Sequence, residues 1–472
     1  MNAVLDPTFA SVTSMAHAIR CREISSEEVV EAHLRRIAEV NLSLNAVVHV
    51  AASSARAEAR AADARLAAGA AVGPLHGVPV TIKDNHDVAG LPGTAGTKGL
   101  ADRIPTMDAT VVARLKAAGA IVLGKTNLPE LALAFETDNL VYGRTNNPYD
   151  LARTPGGSSG GEAAIIAAGG SPLGIGNDAA GSIRLPAHFC GIAGIKPTTG
   201  RVPKTGYLGS SGGALSSLMQ SGPMARYVED LELALPIICG GDGRDPAVVD
   251  MPMGDPGAVE LRRLRIAYHT DNGIASATAE TADTVTRAAM SLIDAGVAVD
   301  EARPAGIERT YQLFFDLFGA DGGVGLQSRL KSLGTTDTHP LMQQFLRLLG
   351  PSACTTADAF ARLARLEQFR AEMFAFWQNY DAILCPTCAV PAIPHGTSWE
   401  HWTAISYTMA YNLTGWPGAV VRAGTSPHAL PIGVQIIAQP WREDVALAIA
   451  RHIETTLGGW QPPREESVRQ VA

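Results

Sequence analysis

Apolar residues first recur with a helical period. Val30, Leu34 and Ile37 stand at i, i+4 and i+7, behind a Ser25–Glu28 pair spaced as a capping box. This predicts a helix opening near residue 25, and an alanine-rich stretch predicts another over roughly 51–69. At Gly73-Pro74 the period changes. In HGVPVTIKD, Val78, Val80 and Ile82 alternate with Pro79, Thr81 and Lys83, the two-residue repeat of a strand. A helix near 108–118, a short apolar strand AIVLG and a helix near 128–135 are predicted next. From about 255 to 375 the chain reads as more helical and more charged, with a strand in LRRLRIAYHT. NYDAILCPTCAVPAIP reads as a strand entering a Pro-rich loop, and LPIGVQIIAQP with EDVALAIARHIE as a last strand and helix. Strands alternating with helices predict an α/β protein, and no internal repeat is present.

Residues 156–213 break this texture. They hold 16 of the 48 glycines in 58 positions, and between Thr154 and Ile183 only Glu162 and Asp178 are charged. A polar surface linker is not built this way. The stretch predicts buried backbone that must approach something closely.

Composition narrows the class. At 472 residues and 46% hydrophobic, the chain has material for a large core. Its net charge is −8 and no Lys/Arg run reaches five residues, which argues against a nucleic-acid partner. No window of 18 apolar residues predicts a membrane span, and the first twenty residues lack the layout of a signal peptide. Six cysteines fit a reducing compartment, so a cytoplasmic location is expected. Lysine is scarce, 7 against 31 arginines, which makes each lysine worth locating.

Several short motifs fail on their context. Gly119-Ala-Ile-Val-Leu-Gly124-Lys125-Thr126 spells a phosphate loop, but AIVL occupies the loop with what reads as a strand. Gly174-Ile-Gly176-Asn-Asp-Ala179 lacks the leading apolar strand of a dinucleotide site. Two G-x-S-x-G matches, Gly156–Gly160 and Gly209–Gly213, show how cheap that pattern is in such sequence. Ser328-Arg-Leu-Lys331 follows Lys204-Thr-Gly206, the wrong order for a penicillin-binding protein. Cys385-Pro-Thr-Cys388 has no partner pair, and no H-E-x-x-H occurs, so neither metal nor cofactor is expected.

Three items together carry chemistry. Lys83 ends an apolar strand. Ser158 and Ser159 sit in the glycine loop TPGGSSGGEAA. Ser182 follows the small residues Ala179, Ala180 and Gly181, 24 residues after Ser158. A serine nucleophile needs a base, and an apolar setting lowers a lysine enough to make it one. A run of small residues lets backbone amides point together at an oxyanion.

HGVPVTIKDN, GKTNLPEL, NNPYDLARTPGGSSGGEAA, GNDAAGSIRLPAHFCGIAGIKPTTGRVP, YNLTGWPGAVV and LPIGVQIIAQP resemble the amidase signature family, in the family's order from about residue 73 to 455. The glycine-serine region is most similar to the branch of fatty acid amide hydrolase and its bacterial relatives. The resemblance implies an α/β fold whose mixed, mostly parallel central sheet is covered on both sides by helices. It implies a helical segment over 1–70, a catalytic domain over 71–460 and a tail over 461–472. Within that domain the signature core spans about 73–220 and the variable pocket region about 205–400. It assigns Ser182 as nucleophile, Ser158 as the proton-relaying serine after a cis peptide bond, and Lys83 as base. It further assigns the amides of Ala179, Ala180, Gly181 and Ser182 to the oxyanion hole, with Ser159, Asp178 and Arg184 supporting them.

One departure stands out: the family often has Gly where this chain has Ala180, so a positive φ or close contact there would narrow the hole. The expected activity is hydrolysis of small-molecule amides through an acyl-enzyme, with esters and carbamates as further substrates, by a monomer or homodimer. The alternative is the glutamine-hydrolysing component of a tRNA-dependent amidotransferase. The aromatic stripe Tyr311, Phe314, Phe315 and Phe318 is the candidate apolar wall of the pocket.

Overall fold

The computed structural model describes residues 6–209 and 214–468. Eleven strands form one sheet: β1 (Val47–Val50), β2 (Pro79–Lys83), β3 (Ile121–Thr126), β4 (Leu173–Asp178), β5 (Ala193–Lys196), β6 (Gln220–Ala225), β7 (Arg265–Tyr268), β8 (Ala298–Glu301), β9 (Ala382–Pro386), β10 (Gly418–Thr425) and β11 (Pro431–Ala438). Their spatial order is β1-β3-β2-β4-β6-β5-β10-β11-β9-β7-β8. The sheet is mixed, as expected, but not mostly parallel. Four of its ten pairings are parallel and six antiparallel. Parallel pairs join β3-β2-β4 and β9-β7-β8, where helices intervene along the chain. The middle is antiparallel, and a short turn closes β10 onto β11, a hairpin that needs no crossover.

The two-residue alternation of β2 divides the sheet's faces. Val80 and Ile82 enter one core with the helices Val12–Arg20, Thr110–Ala117, Val228–Ile238, Ala279–Asp294 and Glu443–Leu457. Thr81 and Lys83 point the other way. That face is also covered, and both side chains are fully buried. The helix Gly160–Ala167 lies over it, and β4 admits the helix because Gly174 has no side chain. A Cβ there would collide with Glu162 Oε1. Further along the same side, the helices Thr310–Phe318, Thr356–Phe374 and Ser406–Leu413 build a separate aromatic core.

The capping box forms as predicted: Ser25 Oγ accepts from Glu28 N, Glu28 Oε2 accepts from Ser25 N, and the helix runs Ser26–Leu44. The helix expected over 128–135 does not form. Only a single 3-10 turn, Glu130–Ala132, is present, with Leu131 at φ 51° and Ala132 at φ 61°. Leu131 N donates to Ala95 O, and two left-handed residues in succession end any right-handed helix. No helix among the described residues is long and apolar enough to cross a membrane.

Candidate active site

Lys83 closes β2 with its amine under the helix Gly160–Ala167. Nζ lies 2.7 Å from Ser158 Oγ and 2.9 Å from Ser159 Oγ. The Gly157–Ser158 peptide is cis. Ser159 N donates to Ser182 O at 3.1 Å, which ties the two glycine loops together. Lys83, Ser158 and Ser159 are fully buried, whereas Ser182 keeps 6% exposure and faces a cavity. Burial drives the Lys83 amine well below the ordinary lysine range, and negative charge on the nearby Asp178, or on Glu162 were it ionised, only partly opposes this.

Asp178, at the end of β4, shapes the Ser182 loop. Its Oδ1 accepts from Gly181 N at 2.7 Å and its Oδ2 from Ile183 N at 3.2 Å. Arg184 grips both oxygens, Nε to Oδ2 and an Nη to Oδ1, each at 2.9 Å. The rest of that guanidinium reaches Thr408 O, Gln435 Oε1 and Asn412 Oδ1, and Asn412 Nδ2 returns to Asp178 at 3.0 Å. Burial alone would raise the Asp178 carboxyl, but the Arg184 guanidinium holds it well below the usual carboxylate range. Both members of the pair are fully buried. Arg184→Met leaves a charge without its partner. It is expected to cost about 3–5 kcal/mol, read as a lowered chemical-denaturation midpoint at pH 7.

This clamp corrects one expectation. The Gly181 N–H is already spent on Asp178, so it is not free for a substrate oxygen. The N–H groups of Ala179, Ala180 and Ser182 meet no protein acceptor among the described residues, and all three residues line the cavity. The Ala180 departure is also resolved. The positive φ of the loop, 119°, falls on Gly181, where a Cβ would collide with Thr408 Oγ1. Ala180 has no such φ, and its carbonyl accepts from Thr408 Oγ1 at 2.6 Å.

The cavity over Ser182 encloses about 530 Å³, counting its open mouth. Of the aromatic stripe, Phe314 and Phe318 reach it. Tyr311 and Phe315 do not: Phe315 packs behind, 4.9 Å from Tyr311 and 5.9 Å from Trp402 between ring centres. The four positions fan over about 100° of the helix circumference, with Phe314 and Phe318 at one edge and Tyr311 and Phe315 toward the other, so one edge faces the cavity. Sequence reasoning missed the rest of the wall, which comprises the irregular segment 131–135, Asn177, Tyr207, Phe345 and Trp402. These come from five separate parts of the chain, and no spacing rule connects them. Among the described residues no charged side chain lines the cavity.

The discarded motifs have structural roles. Ile121, Val122 and Leu123 of AIVL belong to β3, as their apolarity indicated. Lys125 at the end of that strand is buried against Asp84 and donates to His86 O at 2.7 Å. Gly174–Asp178 belongs to β4 itself, so the strand missing before that motif is the motif. Cys385 and Cys388 are buried free thiols. Among the described residues no group of three His, Cys, Asp or Glu side chains is placed to hold a metal. Ser210 to Gly213 of the second G-x-S-x-G match lie outside the described residues.

The family model for amidases matches residues 28–447. The chain is 38% identical over 464 residues to an indoleacetamide hydrolase of Bradyrhizobium diazoefficiens, covering 95% of this chain and 86% of that protein. It is 33% identical to an acylamidase of Rhodococcus erythropolis, covering 94% of each. It is also 36% identical to a glutamyl-tRNA(Gln) amidotransferase component of an Anaeromyxobacter species, covering 95% and 96%. Among solved structures it superposes on 6-aminohexanoate cyclic dimer hydrolase with a TM-score of 0.88, at 27% identity over 98% of this chain and all of the other. With the match spanning the sheet, both glycine loops and the helices that clamp them, the chain belongs to the amidase signature family and is an amide-hydrolysing enzyme.

Proposed function

We propose that Ser182 is the nucleophile of an acyl-enzyme mechanism, with Ser158 and Lys83 as its proton relay. The observation that carries this reading is the 2.7 Å contact between Lys83 Nζ and Ser158 Oγ, in a place where burial favours the neutral amine. In that form the amine lone pair accepts from Ser158 Oγ–H, and Ser158 Oγ in turn accepts the proton of Ser182. Ser182 Oγ bonds to the substrate carbonyl carbon, and the carbonyl π electrons move onto oxygen. The free amides of Ala179, Ala180 and Ser182 receive that oxyanion. As the C–N bond breaks, the relay returns the proton to the departing nitrogen, since an amide anion is a very poor leaving group. Water then cleaves the ester of Ser182, releasing the acid and restoring the hydroxyl. Esters and carbamates present the same carbonyl and enter the same cycle.

The substrate is an uncharged small molecule with an apolar acyl group. Phe314, Phe318, Phe345 and Trp402 form an aromatic wall beside Ala180, and Asn177 with Tyr207 supplies neutral polar groups. The indoleacetamide hydrolase relative fits this reading. The amidotransferase relatives favour a second one, hydrolysis of glutamine for a tRNA-dependent complex. Free glutamine carries an ammonium and a carboxylate, and burying either without a charged partner costs several kcal/mol. The uncharged wall speaks against it. The test is steady-state hydrolysis by the free enzyme of phenylacetamide and of glutamine. The expected result is a kcat/KM at least about 100-fold higher for phenylacetamide. Preference for glutamine overturns the substrate reading.

A further inference from the structure

Glu162 is the one acidic residue of the glycine loop helix, and the mechanism above does not use it. It is fully buried. Its position follows from two parallel contacts between β2 and the helix Gly160–Ala167. Lys83 meets Ser159, and two residues back along the strand Thr81 meets Glu162, three residues along the chain from Ser159. The carboxyl therefore sits one strand step behind the catalytic amine, on the same covered face. Gly174 of β4 makes room for it.

The protons around Glu162 can be counted. Leu173 O only accepts, so the 2.8 Å contact from Ser171 Oγ uses the serine's single hydroxyl proton. Ser171 Oγ then accepts from Thr81 Oγ1 at 3.0 Å, which uses the threonine's. Thr81 Oγ1 is also 3.0 Å from Glu162 Oε1, and Thr81 has no second proton for that contact. The other donors near the carboxyl, the Thr126 hydroxyl and the Ile175 N–H, make no hydrogen bond to Oε2. A protonated carboxyl completes the chain: Glu162 O–H to Thr81, Thr81 to Ser171, Ser171 to Leu173 O. The other oxygen, Oε2, is buried with no hydrogen-bond partner, a position that penalises a carboxylate far more than an acid.

We propose that Glu162 is held as a neutral carboxylic acid donating to Thr81, and that it is a positioning residue keeping a second negative charge away from Lys83. The charged groups facing this cluster are Lys83 on β2, Asp178 on β4, Arg184 beyond the Ser182 loop and Arg226 after β6. The Arg226 guanidinium donates to Ser171 O at 2.8 Å. Lys125 lies on the opposite face of β3, and Arg36 approaches the far end of the helix through Ala168 O. Burial pushes the Glu162 carboxyl up to about 7, and the Thr126 and Thr81 hydroxyls, the Ile175 N–H and Lys83 pull only partly the other way. Arg184 is already committed to Asp178, so an ionised Glu162 would have Lys83 as its natural partner. That pairing would favour the ammonium, the form unable to act as a base.

The inference rests on Lys83 as the base, so Lys83→Ala is assayed first; if it keeps full amide activity, that reading fails. With that reading intact, Glu162→Gln is compared with the wild type. The glutamine N–H replaces the acid as donor to Thr81, so kcat/KM stays within about threefold and the acid limb of its pH profile does not move. An infrared difference spectrum of the two proteins at pH 6 contains one protonated-carboxyl carbonyl band. Loss of carboxylate bands instead, or a limb moved about one pH unit lower, means that Glu162 is ionised and overturns the proposal. Should Glu162→Gln not fold, Thr81→Val keeps the acid and removes its acceptor, so the protonated-carboxyl band shifts in frequency. An unchanged spectrum overturns the proposal equally.

Discussion

Replacing Ser182 by alanine is expected to lower kcat/KM for amides by at least about four orders of magnitude, the scale on which removal of a covalent nucleophile acts. The fold should survive. The substitution removes one oxygen at a cavity wall. The bonds that hold the loop, among them Gly181 N to Asp178, Ile183 N to Asp178 and Ser159 N to Ser182 O, do not involve the Ser182 side chain. The variant should therefore unfold within a few degrees of the wild type. A variant with intact unfolding and more than about one per cent of the activity would remove Ser182 from the reaction.

Lys83→Ala is expected to separate two substrate classes. Loss of a general base costs about 10²–10⁴-fold, and an amide suffers it twice, once in activating Ser182 and once in protonating the departing nitrogen. An ester leaves as an alkoxide or phenoxide and needs the second transfer less. Amide hydrolysis should fall at least about tenfold further than hydrolysis of the matching ester. Equal losses would argue that Lys83 only fills space. Lys83→Arg should fare no better than alanine, because a guanidinium keeps its proton at any working pH and fits poorly into a site built for one amine.

The pattern of the chain made much of this legible, with clear limits. The alternation in HGVPVTIKD located β2 and put Lys83 at its end, but periodicity alone suggests that the polar face of such a strand meets water. The glycines and near-absence of charge over 154–183 carried the missing information, that another layer packs there and buries Thr81 and Lys83. The resemblance supplied the pairing of Lys83 with Ser158, a contact across 75 residues that no local rule reaches. The oxyanion loop was over-counted because four amides in a row look equivalent in sequence. Only the structure shows that Asp178 takes one of them. The resemblance implied a mostly parallel sheet, but only the pairs in β3-β2-β4 and β9-β7-β8 are parallel, and the middle of the sheet is antiparallel. The segment 128–135 failed as a helix since its leucines and alanines are helix formers, while Ala95 and the cavity impose left-handed turns at Leu131 and Ala132. The cavity wall, drawn from distant segments, left no sequence signal beyond Phe314 and Phe318.

The whole cycle depends on Ser182 Oγ being the atom that carries the acyl group. A fluorophosphonate reacts with an activated serine hydroxyl to give a stable adduct, and peptide mass mapping locates it. The prediction is a single adduct on the peptide carrying Ser182, formed by the wild type and lost in Ser182→Ala. An adduct on Ser158, Ser159 or any other serine that persists in Ser182→Ala would contradict it.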